Sequence, residues 1–124
     1  MPRRVLLIED EPNIIEALRF ILSRDGWAVD THADGATALD AVARRTPDLI
    51  ILDAMLPNRS GFDILADLRA DAATAGIPVL MLTARGQKSD RETALRVGAS
   101  KFMTKPFSNA EVLASVRDLA GQPG

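Results

Sequence analysis

The sequence predicts an α/β fold, with five parallel strands in an open, doubly wound sheet and five helices covering its two faces. Three short apolar runs carry this prediction: Val5–Ile8, Leu49–Leu52 and Val79–Leu82. Continuous runs of this length, rich in Val, Ile and Leu, are typical of strands buried on both faces of a parallel sheet. Helical patterns alternate with these runs, and successive βα units with right-handed crossovers build this architecture.

Five strand–helix units account for the length of the chain. The strands are residues 4–9, Ala28–Ala33, the runs that end on Asp53 and Thr83, and a weaker run, Phe102–Thr104. The helices are residues 12–25, residues 35–45, and three helices that begin at Ser60, Ser89 and Ser108. The alternating polarity of Ala28–Ala33 favours an edge position, and the order 2-1-3-4-5 would place the first and third strands at the switch point of the sheet.

Capping residues mark the ends of the helices. Pro12 suits the first position of the first helix, and Gly26 suits a left-handed stop after it. The second helix is expected to begin after Asp34. Ser60–Asp63 and Ser108–Glu111 both have the spacing of a capping box. The third helix is expected to run to about residue 71, and Gly98 is expected to stop the fourth.

Length and composition predict one globular domain over residues 1–124. The chain is 47% hydrophobic and 26% charged, and it contains no run near the ~20 apolar residues of a membrane span. The absence of cysteine excludes disulfides and thiolate metal sites and is consistent with a cytoplasmic location. A formal net charge of -2 gives no support for nucleic-acid binding by this chain alone. Residues 121–124 are expected to be a chain end or the start of a linker.

Polar residues follow the predicted strands at the points where they end. Glu9 and Asp10 follow the first strand, Asp53 and Thr83 end the third and fourth, and Lys105 follows the fifth. The carboxyl ends of parallel strands lie along one edge of the sheet, where ligands bind. We therefore expect these five side chains to share one crevice.

The residue types in this crevice suit phosphoryl chemistry. Clustered carboxylates form a hard-oxygen site for Mg²⁺, and an aspartate can attack phosphorus to give an aspartyl phosphate. Lys105 would supply a point charge for phosphate and Thr83 a hydroxyl donor. Taken singly, Glu9 or Asp10 could cap a helix, Thr83 could simply end a strand, and Lys105 could be a surface lysine. Asp53 is harder to explain structurally, because it follows four apolar residues.

Four short motifs occur together in the order and at the spacing of a known family. They are Glu9–Pro12, Asp53–Pro57 followed by Gly61, Thr83–Ala84, and Lys105–Phe107. Across essentially the whole chain the sequence resembles the response-regulator receiver domains of two-component signalling. It looks closest to the branch that carries winged-helix DNA-binding output domains. The resemblance also implies the flavodoxin-like strand order 2-1-3-4-5.

The resemblance implies a role for each charged residue of the crevice. Asp53 would be the phospho-acceptor, receiving its phosphoryl group from a histidine kinase or a histidine phosphotransfer protein. Asp10 and Asp53 would ligate Mg²⁺ directly together with the backbone carbonyl of Met55, and Glu9 would act mainly through water. Lys105 would pair with the phosphoryl oxygens.

Other positions would bind the phosphoryl group or respond to it. The backbones of Met55 and Ala84 would contact the phosphoryl group, and Thr83 would move to hydrogen-bond one of its oxygens. The ring of Phe102 would turn inward as Thr83 moves, although a simply packed strand residue is the alternative. The Lys105–Pro106 peptide bond would be cis.

The implied partners include a downstream output domain or protein target, controlled through the surface of the fourth helix, fifth strand and fifth helix. A phosphorylation-dependent homodimer through the same surface is also implied. Ser100–Lys101 stands where this branch usually carries an acidic pair that helps active receivers dimerise, which argues against the usual symmetric dimer, while Arg117 remains available on the last helix. His32, the single histidine, is expected to be a surface residue.

Rival interpretations fit the residues less well. A phosphatase with an aspartate nucleophile typically has a second Asp two residues later, where this chain has Met55. A flavin-binding module needs a loop that cradles phosphate after the first strand, and Glu9–Glu11 would repel phosphate. A phosphorylation-independent interaction module would not need the phospho-acceptor, the metal-binding carboxylates and the lysine, and this chain has all of them. The chain is therefore expected to act only on itself, and Met55 and Arg85, which cannot activate water, predict a long-lived phosphorylated state.

Overall fold

The computed structural model describes residues 3–84 and 88–121. Five strands alternate with five α-helices: β1 Arg4–Ile8, α1 Pro12–Arg24, β2 Ala28–His32, α2 Ala38–Arg45, β3 Leu49–Asp53, α3 Gly61–Ala70, β4 Val79–Thr83, α4 Lys88–Val97, β5 Lys101–Thr104 and α5 Asn109–Ala120. No helix within the described ranges is long and apolar enough to cross a membrane. Arg85 and the predicted chain end at 122–124 lie outside the described residues.

All five strands pair in parallel, in the order β2-β1-β3-β4-β5. This confirms the predicted strand order and places β2 at one edge of the sheet. The two most apolar inner strands, β3 and β4, are buried along their whole length. The order reverses between β1 and β3, so a crevice is expected beyond their carboxyl ends.

The sheet separates two apolar cores, which is the doubly wound arrangement. Alternate strand residues face opposite sides because successive side chains of a strand point in opposite directions. Val5 and Leu7 pack with the residues of α1 and α5, whereas Leu6 and Ile8 pack with those of α2, α3 and α4. Both sets are buried, so each face of the central strands is covered by helices.

The helix ends agree with the capping residues in most places. Pro12 begins α1, and Gly26 follows that helix with a φ of 96°. Ser108 and Glu111 form a complete, reciprocal capping box at the start of α5. The Ser60 side chain accepts a hydrogen bond from the Phe62 N–H, but no reciprocal bond closes a box there. An aspartate at the third helical position has a shorter side chain than the glutamate of α5, which accounts for the difference.

The second helix differs from the prediction in its first turn. Gly35–Thr37 forms a 3-10 turn, and the α-helix begins only at Ala38. The Asp34 side chain accepts a hydrogen bond from the Ala36 N–H and so caps this tighter turn. The sequence therefore located the start of the helical segment correctly, while the local geometry of the turn depends on a neighbouring loop.

Candidate functional site

The carboxyl ends of the central strands place polar residues along one edge of the sheet. β1 is followed by Glu9, β3 ends on Asp53 and β4 ends on Thr83. Backbone pairing continues past the ends of the strands. The Lys105 N–H donates to the Thr83 carbonyl at 2.7 Å, and the Glu9 N–H donates to the His32 carbonyl at 3.0 Å. Strand pairing thus sets the spacing of the segments that carry the site.

Three carboxyl groups form a cluster at this edge. One oxygen each from Glu9, Asp10 and Asp53 lies within 4.8 Å of the other two. Glu9 and Asp53 are buried, whereas Asp10 is exposed. The cluster is therefore enclosed on one side and open to solvent on the other. Two or three carboxylates in this arrangement are a donor set that suits a small divalent cation.

Lys105 is the cation that faces the cluster. Its Nζ lies 3.1 Å from Glu9 Oε1, 3.3 Å from Glu11 Oε1 and 3.4 Å from Asp53 Oδ2. The side chain is only 12% exposed, so these charges interact with little screening by solvent. The ammonium therefore balances part of the negative charge and lies beside an Asp53 oxygen.

The two oxygens of Glu9 have different surroundings. Oε2 accepts hydrogen bonds from the N–H groups of Asp10 at 3.0 Å and Glu11 at 3.2 Å. Oε1 is buried and has the Lys105 ammonium 3.1 Å away as its ion-pair partner. The burial of this oxygen is therefore compensated by an opposite charge.

Burial and charge shift the pKa values of the two central partners. Burial raises the pKa of Glu9, and the hydrogen bond and negative charge of Asp53 raise it further, to about 7. The Lys105 ammonium and the Glu11 N–H oppose this change. Burial alone would lower the pKa of Lys105, but its contacts with Glu9 and Asp53 outweigh that effect and raise it. Lys105 is therefore charged at neutral pH.

The loop that follows β3, residues 54–60, turns directly over Asp53. The Met55 N–H donates to Asp53 Oδ1 at 3.2 Å, and the Gly61 N–H donates to the Ala54 carbonyl at 2.9 Å. A Cβ on Gly61 would lie 2.2 Å from the Asp53 carbonyl oxygen, so only glycine fits there. The Met55 side chain is 71% exposed. Its backbone, rather than its side chain, is the part of Met55 that contacts Asp53.

The remaining predicted site residues lie on β4, β5 and the segments after them. Thr83 is buried and Ala84, which follows it, is exposed. Phe102 is half-buried and packs against the core on the α2–α4 side of the sheet. The peptide bond between Lys105 and Pro106 is cis. The structure thus brings Glu9, Asp10, Asp53 and Lys105 together at the carboxyl ends of the central strands.

One expectation about a charged residue needs correction. Arg117 is not a free group on the last helix, because its guanidinium pairs with Asp25 at the end of α1, with Nη2 2.5 Å from Oδ1. His32 lies on the edge strand β2 and is partly exposed, and its Nε2 lies 2.7 Å from Thr37 Oγ1. The long side chain of Arg117 spans the gap between helices that pack side by side, which sequence alone does not reveal.

The residues at Ser100–Lys101 are used within the chain. Ser100 Oγ accepts hydrogen bonds from the Val79 N–H at 3.0 Å and from Arg69 at 3.3 Å. Lys101 Nζ forms an ion pair with Asp118 of α5 at 2.8 Å. The charges on this face of β5 and α5 therefore compensate each other.

One residue of the site was missed in the sequence. Glu11 stands at the N-cap position of α1 without a side-chain capping hydrogen bond, and its Oε1 lies 3.3 Å from Lys105 Nζ. Its only signal was membership of the acidic run Glu9–Glu11, because it belongs to no strand end. Its side chain is more than half exposed, so this contact is weaker than those from Glu9 and Asp53.

This fold and site define the class of protein: a parallel α/β domain with a carboxylate cluster and a lysine at the switch point of its sheet. The chain belongs to the response regulator receiver domain family, whose sequence model matches residues 5–117. It is a receiver domain of two-component signalling, and the family is a phospho-accepting signalling family rather than a family of classical enzymes. Members work with histidine kinases and carry output domains.

Curated relatives place the chain beside transcriptional regulators. It is 41% identical over 123 residues to the probable transcriptional regulatory protein TcrX of Mycobacterium tuberculosis, covering 99% of this chain and 52% of the relative. It is 41% identical over 117 residues to the phosphate regulon transcriptional regulatory protein PhoB of Escherichia coli, covering 94% and 51%. The chain thus spans about half the length of the curated relatives that it matches.

Solved structures agree with this fold. A putative response regulator from Chloroflexus aurantiacus has a TM-score of 0.93 at 30% identity, covering 98% of this chain and all of that one. The receiver domain of sensor histidine kinase PA1611 from Pseudomonas aeruginosa has a TM-score of 0.89 at 30% identity, with 98% and 100% covered, and contains a magnesium ion in its active-site cleft. The BeF3-activated receiver domain of Klebsiella pneumoniae RstA has a TM-score of 0.90 at 28% identity, with 97% and 100% covered.

Proposed function

We propose that residues 1–124 form one receiver domain that accepts a phosphoryl group on Asp53 in a Mg²⁺-dependent reaction. The observation that carries the proposal is the position of Asp53: buried at the end of β3, within 4.8 Å of two other carboxylates and 3.4 Å from Lys105 Nζ. A lone buried carboxylate would be destabilising, whereas one that faces a cation site and a lysine is suited to react with phosphate.

The residues present fit a magnesium ion. Asp10 and Asp53 would hold it with the Met55 backbone carbonyl, and Glu9 would act mainly through water. An exposed Asp10 leaves room for an ion that keeps several waters. When bound, Mg²⁺ would neutralise charge on the carboxylates and the incoming phosphoryl oxygens.

In the proposed reaction, an Asp53 carboxylate oxygen forms a bond to phosphorus as the bond from phosphorus to the donor breaks. The donor is a phosphohistidine of a histidine kinase or phosphotransfer protein, and the leaving imidazole keeps the bonding electron pair and takes up a proton. Lys105 would pair with the phosphoryl oxygens, and the backbones of Met55 and Ala84 would donate to them. Thr83 would move to hydrogen-bond one oxygen.

The output would pass through α4, β5 and α5 to an output domain or a protein target. Phosphorylation would bias an existing two-state equilibrium, with Phe102 turning inward as Thr83 moves. The names of the relatives indicate a transcriptional regulator, so a DNA-binding output domain suits the partner role better than nucleic-acid binding by this chain. We place the domain in the cytoplasm, where histidine kinases present their phosphohistidine.

A homodimer through the same surface would need contacts other than an acidic pair on β5. Lys101 stands where the family usually has one residue of that acidic pair. Lys101 forms an ion pair with Asp118, and Arg117 forms an ion pair with Asp25. These intramolecular pairs would compete with contacts from the same side chains to a partner copy. Slow hydrolysis of the phosphorylated state belongs to the proposal too, because the exposed thioether of Met55 can neither orient nor deprotonate water.

Phosphorylation by acetyl phosphate tests the proposed function. Wild-type protein, Asp53→Asn and Asp63→Asn would be incubated with the donor and Mg²⁺ and resolved by phosphate-affinity electrophoresis. The wild type and Asp63→Asn, which changes an exposed carboxylate on α3, should shift; Asp53→Asn and wild type in EDTA should not. Equal modification of wild type and Asp53→Asn would remove Asp53 from the acceptor role.

A further inference from the structure

The loop of residues 54–60 carries backbone that the proposed function needs, so whatever holds this loop affects the site. At its base the loop is fixed by the Ala54–Gly61 backbone hydrogen bond and by the Met55 N–H bonded to Asp53 Oδ1. These contacts hold the two ends of the loop. Arg59 in the tip also pairs with Asp67 of α3, and the tip residues before Arg59 are held by another part of the chain.

The tip is bonded to the turn that follows β2. Asn58 Nδ2 donates to Asp34 Oδ1 at 2.9 Å, and the Gly35 N–H donates to the Pro57 carbonyl at 3.1 Å. The same Asp34 oxygen accepts the Ala36 N–H at 2.9 Å. Asp34 is therefore held by its own turn while it holds Asn58, so the tip is attached to a fixed point.

Close approach makes this attachment specific. A Cβ on Gly35 would lie 2.4 Å from the Arg59 carbonyl oxygen and 2.9 Å from that of Pro57, so the two backbones touch. Asn58 has a φ of 69°, in the left-handed region where asparagine is enriched among residues other than glycine. A strained backbone conformation persists where surrounding contacts determine it, and the bond to Asp34 is such a contact.

We propose that Asp34 and Asn58 are positioning residues for the phosphoryl site: their hydrogen bond holds the 54–60 loop so that the Met55 backbone stays directed at Asp53. This inference rests on the proposed function. Groups that do not touch a metal often orient those that do, and their loss lowers metal affinity. The hydrogen bonds of these two side chains within the described residues go to the loop and to the turn after β2, so the proposed effect on the site passes through the loop.

The test is Mg²⁺ affinity, measured on the whole chain by two-dimensional NMR from the amide signals of Asp53 and Met55. Asn58→Gly keeps the left-handed backbone accessible but removes the donor, and Asp34→Ala removes the acceptor. Each should raise the Mg²⁺ dissociation constant about tenfold. Asp34→Asn keeps an oxygen that accepts both hydrogen bonds, so its affinity should stay within about twofold of wild type.

Two controls separate positioning from general stability. Arg117→Gln removes another bond between elements, the pair with Asp25, and should leave Mg²⁺ affinity unchanged. Urea unfolding of every variant shows whether affinity follows stability. Loss of affinity in Arg117→Gln, or a loss in Asp34→Asn equal to that in Asp34→Ala, would overturn the inference.

The inference and the proposed function fail in different ways. If wild type binds Mg²⁺, Asp10→Asn does not, and Asn58→Gly binds it as tightly as wild type, the proposed function stands and the positioning role is refuted. If wild-type amides near Asp53 do not respond to Mg²⁺, the proposed function fails and the positioning role fails with it. A selective loss in Asn58→Gly and Asp34→Ala supports both.

Discussion

Glu9 shows how one buried residue can link stability to ligand binding. Its side chain is fully buried beside Asp53, and its only nearby cation among the described residues is Lys105. Burial and the Asp53 charge raise its pKa to about 7. Without a metal, the ionised Glu9 carboxylate therefore lowers the stability of the folded state. Sequence patterns predicted that Glu9 would meet Asp53. They could not show that Glu9 is wholly buried while adjacent Asp10 is exposed, because this depends on side-chain packing.

Glu9→Gln should flatten the pH dependence of stability in the metal-free protein. The folded-state pKa of Glu9 is raised, so folding takes up a proton between about pH 4.5 and 7 and stability is lost as the pH rises through this range. The glutamine variant lacks this loss of stability, which is on the order of 3 kcal/mol. Urea unfolding in EDTA at several pH values checks it. Parallel pH profiles for the two proteins would contradict the burial argument.

Asp10→Asn should separate charge repulsion from metal binding. In metal-free buffer the variant should melt at a higher temperature than wild type, because one of three clustered negative charges is gone. Mg²⁺ should stabilise wild type, by about 2.7 kcal/mol at a concentration 100-fold above Kd, but not the variant. Thermal unfolding with and without Mg²⁺ measures both effects. The reverse ranking in metal-free buffer would show that repulsion is not significant.

At the scale of elements, local sequence predicted most ends and long-range contacts decided the exceptions. The capping box at Ser108 and the stop at Gly26 need only neighbouring residues, and both are present. The 3-10 turn at Gly35–Thr37 differs because its backbone must contact the 54–60 loop. Pro57 lies far from this turn in the sequence, so local sequence patterns could not predict the geometry of the turn.

Arg69 is the element-scale contact that we expect to matter most for stability. From α3, its guanidinium donates to the carbonyls of Ile77 at 2.7 Å, Gly98 at 2.8 Å and Ala75 at 3.1 Å, and so joins α3, the loop before β4 and the end of α4. Arg69→Met keeps the apolar stem but leaves these acceptors without a donor.

The expected cost of Arg69→Met is about 2 kcal/mol in the free energy of unfolding, measured by urea denaturation. Arg117→Gln is the matched control, since its ion pair with Asp25 is exposed on the arginine side and should be worth less than about 1 kcal/mol. An equal loss in the free energy of unfolding for the two variants would indicate that the partly buried carbonyls near Arg69 form hydrogen bonds with water when the guanidinium is removed.

At the scale of the whole molecule, the apolar runs and the alternating strand predicted a parallel sheet with β2 at its edge, and the family resemblance implied the full strand order. This order brings the adjacent residues Glu9 and Asp10 to one edge with Asp53 and Lys105, which are distant in the sequence. Sequence therefore predicted which residues meet. It did not predict how the surface charges pair, and the Arg117–Asp25 ion pair is an example. A long charged side chain can reach several partners at similar distances, and the pairs that it can form differ little in energy.

Activation should be visible far from Asp53. Adding beryllofluoride and Mg²⁺ should shift amide signals across residues 84–107 as well as at the metal site, because the signal would pass from Thr83 to the surface of α4, β5 and α5. Two-dimensional NMR of wild type, with Asp53→Asn as the control that should not respond, measures this. Shifts confined to residues 9–10 and 53–55 would argue against a switch.

The acceptor role of Asp53 is tested most directly by chemical trapping. Borohydride reduces an aspartyl phosphate to homoserine, so protein treated with acetyl phosphate and Mg²⁺, then reduced and digested, can be mapped by peptide mass spectrometry. Homoserine at position 53, and its absence when Mg²⁺ is withheld, is the expected result, because only Asp53 combines a buried strand end with Lys105 and the other carboxylates among the described residues. Homoserine at Asp10 or another aspartate, with Asp53 unmodified, would contradict it.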